Sequence, residues 1–237
     1  MTRGDGRAAQ QLRPLAIQKT YLKNAHGSAL VCWGGTTVLC TAMYETGVPP
    51  FLENAGKGWL TAEYAMLPAS TPMRKPREIK RPDGRSTEIG RLIGRSLRCA
   101  LDLGRMPGIT IHIDCDVLDA DGGTRTAAIT GGYIALCECV ERMKKDGLIT
   151  ESPIISGIAA VSCGIVEGTC VLDLNYEEDS RAEADVNVVM SHSGGFIEVQ
   201  GTGEKRPIAP EQFGELLGLA AHGIAQIQKI QEETLHG

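Results

Sequence analysis

The clearest periodicity in the chain runs over 109–117, where Ile109, Ile111, Ile113, Cys115 and Val117 alternate with more polar neighbours. That two-residue period predicts a strand with one buried face. Shorter β-like stretches precede it at 12–20, 28–33, 36–44 and 59–66, separated by Gly, Pro and Asn, residues that punctuate strands. From Arg85 the period changes. Ile89, Leu92, Ile93, Leu97, Ala100 and Leu101 make an apolar stripe at helical spacing, with Arg91, Arg95 and Arg98 on a shared polar flank, so a helix is predicted that ends at Gly104. A second helix is predicted over 127–145, closed by Asp146-Gly147. The remainder repeats the scheme: strands at 158–166, 169–174, 186–190 and 196–200, then a C-terminal helix with Phe213, Leu216, Leu217, Ala220, Ile224 and Ile227 on one face. Strands precede helix in each half. The pattern therefore predicts an α+β fold, a single compact domain over 1–237 with mixed sheets and two similar strand-then-helix halves, rather than alternating βαβ units.

Composition narrows the class. With 42% hydrophobic and 22% charged residues the chain is in the ordinary globular range, which excludes disordered and fibrous architectures. Its 24 Lys and Arg against 29 Asp and Glu give a formal charge of −5, so any polyanion must be met by a local basic patch. No apolar run approaches the ~18 residues of a membrane span. The polar start lacks the apolar segment of a signal peptide, and the cytoplasm is the expected compartment. The eight cysteines are scattered through apolar segments without a C-x-x-C; they are expected to be reduced core residues rather than disulfides or a zinc site. Trp33 and Trp59 fall in strand patterns and are expected in the core, whereas Phe51 in the 48–52 loop is a candidate for stacking on a base.

Three constellations carry candidate chemistry. Gly122-Gly123-Thr124-Arg125-Thr126 precedes the second helix, where glycines permit close backbone approach and the helix N-terminus attracts anions. Arg125 adds a bidentate grip on phosphate. In isolation such a Gly-Gly-Thr is more often a plain cap, with Thr124 capping and Arg125 paired to an acid. Next, Asp173, Glu177, Glu178, Asp179, Glu183 and Asp185 cluster around a hairpin-like connection over 175–184. Asp179 and Asp185 at one sheet end suit Mg²⁺, a hard ion that takes one or two carboxylates plus phosphate oxygens, although an acidic loop is usually a solvated surface. Finally, Arg74, Lys75, Arg77, Lys80, Arg81 and Arg85 fall within twelve positions, a density that suits a nucleic-acid backbone, a solvated charge run or a subunit contact. Arg91, Arg95 and Arg98 are expected to pair with carboxylates or an interface. No Gly-x-Ser-x-Gly elbow is present, so the set specifies phosphoryl transfer without a covalent nucleophile.

The segments Asp5-Gly-Arg7, 56–68 (GKGWLTAEYAMLP), 88–98, 113–126 (IDCDVLDADGGTRT), 172–176 (LDLNY) and 198–204 (EVQGTGE) together resemble the ribonuclease PH family, across nearly the whole chain. The resemblance implies a metal-assisted, phosphate-dependent 3′-to-5′ exoribonuclease that trims transfer RNA precursors, releases nucleoside diphosphates and works as a homohexamer, a trimer of dimers. It implies that Arg85, Gly123, Thr124 and Arg125 hold inorganic phosphate, that Asp179 and Asp185 are catalytic and hold Mg²⁺, and that Arg74 and Arg77 guide RNA. Two positions depart from the family pattern. Ala69 stands where arginine is usual, and Gly35 where Gly-Asp-Thr is common. Two other classes remain: a non-catalytic RNA-binding ring subunit of the exosome kind, and a hydrolytic metal-dependent nuclease.

Overall fold

The computed structural model describes residues 3–77 and 83–237. Leu15–Lys19 (β1), Gly27–Trp33 (β2), Thr36–Thr46 (β3), Trp59–Met66 (β4) and Ile109–Asp119 (β5) form one sheet in the order β1-β2-β3-β5-β4. Ile158–Val166 (β6), Thr169–Leu172 (β7), Ala184–Ser191 (β8) and Phe196–Gly203 (β9) form a second, in the order β7-β6-β8-β9. The helices are Gly84–Arg98 (α1), Thr124–Lys145 (α2), Tyr176–Arg181 (α3) and Pro210–His236 (α4). The architecture is α+β, as the pattern predicts.

The alternating residues of β5 (Ile109, Ile111, Ile113, Cys115 and Val117) are all buried, facing the helical layer. Helix α2 is the centre of the core. It contacts β2, β3 and β5 of the first sheet and β6 of the second, and it is apolar nearly all round because both flanks are covered. Gly131 makes the close approach possible, since a Cβ there would sit 2.4 Å from Val31 Cγ2. Strand β6 is buried at every position, which accounts for its unbroken apolar sequence in place of an alternation. Its neighbourhood is closed on one side by Val171, Leu174 and Ala182 with Ala9 packed against them.

Several boundaries differ from the sequence prediction, each for a local reason. The first strand starts at Leu15 rather than residue 12, because the Arg13 amide donates to the Asp173 carboxylate and Pro14 has no amide to give. Helix α1 stops at Arg98; residues 103–105 form a separate 3₁₀ turn capped by Asp102, which accepts from the Gly104 amide. The first sheet also contains a parallel pair, β4 with β5, joined through α1, a βαβ crossover inside a fold of mainly antiparallel strands. The connection over 175–184 is a short helix rather than a hairpin loop. Asn175 caps α3 through the Glu178 amide and Glu178 reaches back to the Asn175 amide, a capping box whose Asn-x-x-Glu spacing is legible in the sequence. Six of the cysteines are buried and all eight are free thiols, but Cys32 and Cys99 are exposed. Trp33 is core, while Trp59 is half-buried, with the Arg98 guanidinium 4.5 Å over its ring and Phe51 edge-on. Among the described residues no helix is long and apolar enough to cross a membrane.

An N-terminal arm laces the two sheets together. Arg3 grips Glu178 with two bonds of 2.7 and 2.6 Å and donates to Leu172 O. Arg13 pairs with Asp173 at 2.7 Å, and Arg7 lies 3.5 Å from the same carboxylate. Asp173 also accepts from Trp33 Nε1 of β2 and holds its backbone at φ +55°, a region aspartate tolerates better than most residues. All these groups are buried, so removal of one partner leaves a charge stranded. Asp173→Ala should lower unfolding stability in urea by about 3–5 kcal/mol, the usual cost of breaking a buried ion pair from one side; a loss below about 1 kcal/mol would show that water reaches Arg13.

Candidate active site

The end of β5 runs into Asp121-Gly122-Gly123 and then directly into α2. Both glycines adopt left-handed backbone, φ +75° and +64°, a geometry closed to most side chains without strain. Gly122 is also needed for proximity: a Cβ there would meet Leu174 O at 2.6 Å and the Tyr176 amide at 3.0 Å. The glycine turn thus lies directly on the backbone that starts α3, and the Tyr176 amide donates to Asp121 Oδ1 at 3.1 Å. Gly123, not Thr124, is the N-cap. Thr124 is buried in the first helical turn, where Tyr64 donates to its hydroxyl at 2.8 Å. Helix α2 therefore begins three residues earlier than its apolar pattern indicates.

A cleft of about 910 Å³ opens over this turn. Arg85, Gly123, Thr124, Arg125, Asp179 and Asp185 all line it. Four different stretches of chain bring them there: Arg85 from the first turn of α1, the glycine turn from α2, Asp179 from α3 and Asp185 from the start of β8. Arg125 makes a 3.5 Å contact with Gln200 Oε1 and has no carboxylate within ion-pairing range among the described residues, which removes the reading of a simple cap with a paired arginine. Arg74 and Arg77 are exposed on the preceding loop and do not line the cleft; Lys75 between them does. Lys80 and Arg81 lie outside the described residues. Phe51 is likewise exposed but away from this cavity. Arg95 holds Glu198 with two bonds of 2.9 and 2.8 Å, and Arg98 donates to Leu60 O, both structural uses of the helix flank.

The electrostatics divide the cleft. Partial desolvation in the concavity pushes the Asp179 carboxyl up, against the opposing pull of Arg125 and Arg85. Desolvation raises Asp185 as well, and the neighbouring charge of Asp179 raises it further. The two acids are close enough to feel one another, and neither has an ion-pair partner among the described residues. Two carboxylates, partly dehydrated and beside a glycine turn at a helix N-terminus, are a donor set that a hard divalent cation fits. No group of three or more His, Cys, Asp or Glu suited to a metal occurs among the described residues.

Other lining residues were not apparent from sequence: Ser162, Tyr176, Asn187, Thr202, Glu204 and Lys205. Ser162, Asn187 and Gln200 stand side by side across β6, β8 and β9, as do Gly164, Asp185 and Thr202. Only strand pairing reveals such rows, since their members are far apart in the chain. Gly35 also finds its explanation here. A Cβ at that position would lie 2.8 Å from Asp121 Oδ2, so the glycine leaves room for the Asp121 side chain to lean over β3.

The same arrangement of elements occurs in known structures. Rice (Oryza sativa) Rrp46 superposes with a TM-score of 0.81 at 22% identity, covering 98% of this chain and 100% of that one. The Archaeoglobus fulgidus exosome with RNA bound to the active site matches at 0.84 and 24% identity, over 96% and 91%. An archaeal exosome core matches at 0.77 and 23% identity, over 97% and 91%. These likenesses establish a shared fold. In sequence, residues 11–140 match domain 1 of the 3′ exoribonuclease family and residues 157–223 match its domain 2. Since the two matches follow in order and together span most of the molecule, meeting at the cleft between β5, α2 and β8, the chain belongs to the 3′ exoribonuclease family.

Proposed function

We propose that this protein is a phosphate-dependent 3′-to-5′ exoribonuclease that trims the 3′ ends of transfer RNA precursors. One observation carries the reading: a glycine turn at a helix N-terminus, two arginines and two acids without an ion-pair partner among the described residues share a single cleft. Anion-binding groups beside two carboxylates suit phosphoryl transfer, and among the described residues no histidine lines the cleft to activate a serine and no cysteine lines it, which fits direct attack by inorganic phosphate. The family supplies RNA and the 3′ direction, and the RNA-bound archaeal exosome of the same fold supports the same substrate.

In this mechanism Arg85, Arg125 and the backbone of Gly123 and Thr124 hold phosphate in line with the terminal phosphodiester. A phosphate oxygen attacks the terminal phosphorus, the bond to the penultimate 3′ oxygen breaks, and that oxygen takes up a proton. The products are a nucleoside diphosphate and an RNA shorter by one residue. Asp179 and Asp185 would hold Mg²⁺, which when bound neutralises charge on the phosphoryl oxygens. Arg74, Arg77 and Lys75 sit on the loop beside the cleft mouth, suited to an RNA backbone; Ala69, which is exposed, contributes no charge there. A homohexameric ring, a trimer of dimers, is part of the same proposal, and light scattering should give six subunits.

RNA shortening measured with and without phosphate tests the reading. Activity should require phosphate and yield diphosphates. Cleavage in phosphate-free buffer would assign a hydrolytic nuclease, and RNA binding without shortening in either buffer would assign a non-catalytic ring subunit. Asp185→Asn should abolish turnover while leaving RNA affinity within about twofold, an effect on chemistry rather than binding.

The raised carboxyls add a stability prediction. A folded-state value above the ordinary 3.8 means that the native state holds its proton more tightly than the unfolded chain. Stability is then lost as pH rises through that window, and the cost persists at neutral pH. In metal-free, phosphate-free buffer Asp185→Asn should therefore melt higher than wild type at pH 7, with the gap closing as pH falls to about 3.8. Glu204 raises both acids, so Glu204→Gln should move the acid limb of the activity profile to lower pH; an unmoved limb would mean that Glu204 is screened from the pair.

A further inference from the structure

The amides of Gly122 and Gly123 have no acceptor among the described residues. What aims them is the grip on the carbonyls behind them. In a trans peptide the N–H points opposite to the C=O of the same unit. The unit ending in the Gly122 amide begins with the Asp121 carbonyl, which accepts from Arg13 Nη1. The unit ending in the Gly123 amide begins with the Gly122 carbonyl, which accepts from Thr36 Oγ1 at 2.7 Å and from Arg13 Nη2 at 3.4 Å. Thr36 is fully buried and Arg13 is 5% exposed, so both carbonyls are drawn toward the interior. Both N–H groups consequently face the other way, toward the cleft that the two glycines line.

The grip is itself held. Thr36 Oγ1 accepts from the Asp121 amide at 2.9 Å while donating to Gly122 O, so one hydroxyl spans the turn. Arg13 is oriented by Asp173, which takes Nη2 at 2.7 Å, Nε at 3.1 Å and the Arg13 amide at 2.6 Å. A left-handed residue that runs directly into a right-handed turn, as Gly123 does into α2, turns successive amides into a concave anion-binding nest, but flexible glycines would populate it only part of the time without an anchor. We propose that Arg13 and Thr36 are positioning residues for phosphate: they touch no substrate, and they hold the Gly122 and Gly123 amides in the orientation that receives the phosphate oxygens. The assignment rests on the phosphorolytic reading above and adds to it the residues behind the turn.

Thr36→Val is nearly isosteric and removes both bonds of the hydroxyl; Thr36→Ser keeps them. Arg13→Lys keeps a cation beside Asp173 but lacks the planar fork that reaches two carbonyls. Titration calorimetry of the full-length chain with inorganic phosphate is the direct measurement, with KM for phosphate and for RNA taken alongside. Loss of one to two anchoring hydrogen bonds should weaken phosphate binding about tenfold in Thr36→Val and in Arg13→Lys, leaving Thr36→Ser within about twofold of wild type. KM for RNA, and kcat at saturating phosphate, should be retained, a split that general loosening of the fold would not produce. Folded Thr36→Val and Arg13→Lys proteins that bind phosphate as tightly as wild type would overturn the proposal. A wild-type protein that binds no phosphate would instead overturn the reading beneath it.

Discussion

The buried pairing of Arg13 with Asp173 is the constraint on which the rest of the site depends. Asp173 sits at the end of β7, just before the segment that becomes α3, and Arg13 just before β1. Their ion pair fixes the first sheet against the second at the edge where the cleft opens. Through the same guanidinium the pairing reaches the carbonyls of the glycine turn. Through Trp33 it reaches β2. Charges this deeply buried are tolerated because every donor and acceptor has a partner.

From that anchor the chemistry follows by short steps. The glycine turn lies on the backbone leading into α3, so its amides and Asp179 are set at a fixed spacing by main-chain contact rather than by flexible side chains. Arg3 adds a second tie by holding Glu178, the neighbour of Asp179. Among the described residues the acids have no ion-pair partner; partial dehydration in the concave site raises both carboxyls, and the charge of Asp179 raises Asp185 further. A rigid frame holding an unfavourable charge pair is the arrangement expected of a site that completes itself by binding a cation and an anion.

Much of this was legible in the chain. The alternation of 109–117 gave β5, the apolar stripe gave α1, and Gly122-Gly123 marked the turn at the head of α2. The end of α1 and the start of α2 lie several residues from where the apolar pattern places them, because periodicity reports which residues are buried, while helix ends are set by caps and turns. The α3 capping box over 175–178 has its Asn-x-x-Glu spacing in the sequence, but the surrounding run of acidic residues masks that signal.

By itself, then, the sequence determined the elements, the α+β class and the residue types able to bind phosphate and a divalent cation, because local periodicity and side-chain chemistry are properties of short segments. Only the tertiary structure decided which of these residues meet. It brought Arg85, Arg125, Asp179 and Asp185 into one cleft, left Arg74 and Arg77 outside it, and put Arg13 and Thr36 behind the glycine turn. The physical reason is that each of these meetings joins distant segments across two sheets and a buried helix. Such contacts are fixed by packing and by the satisfaction of buried polar groups, and neither is encoded in any single stretch of the chain.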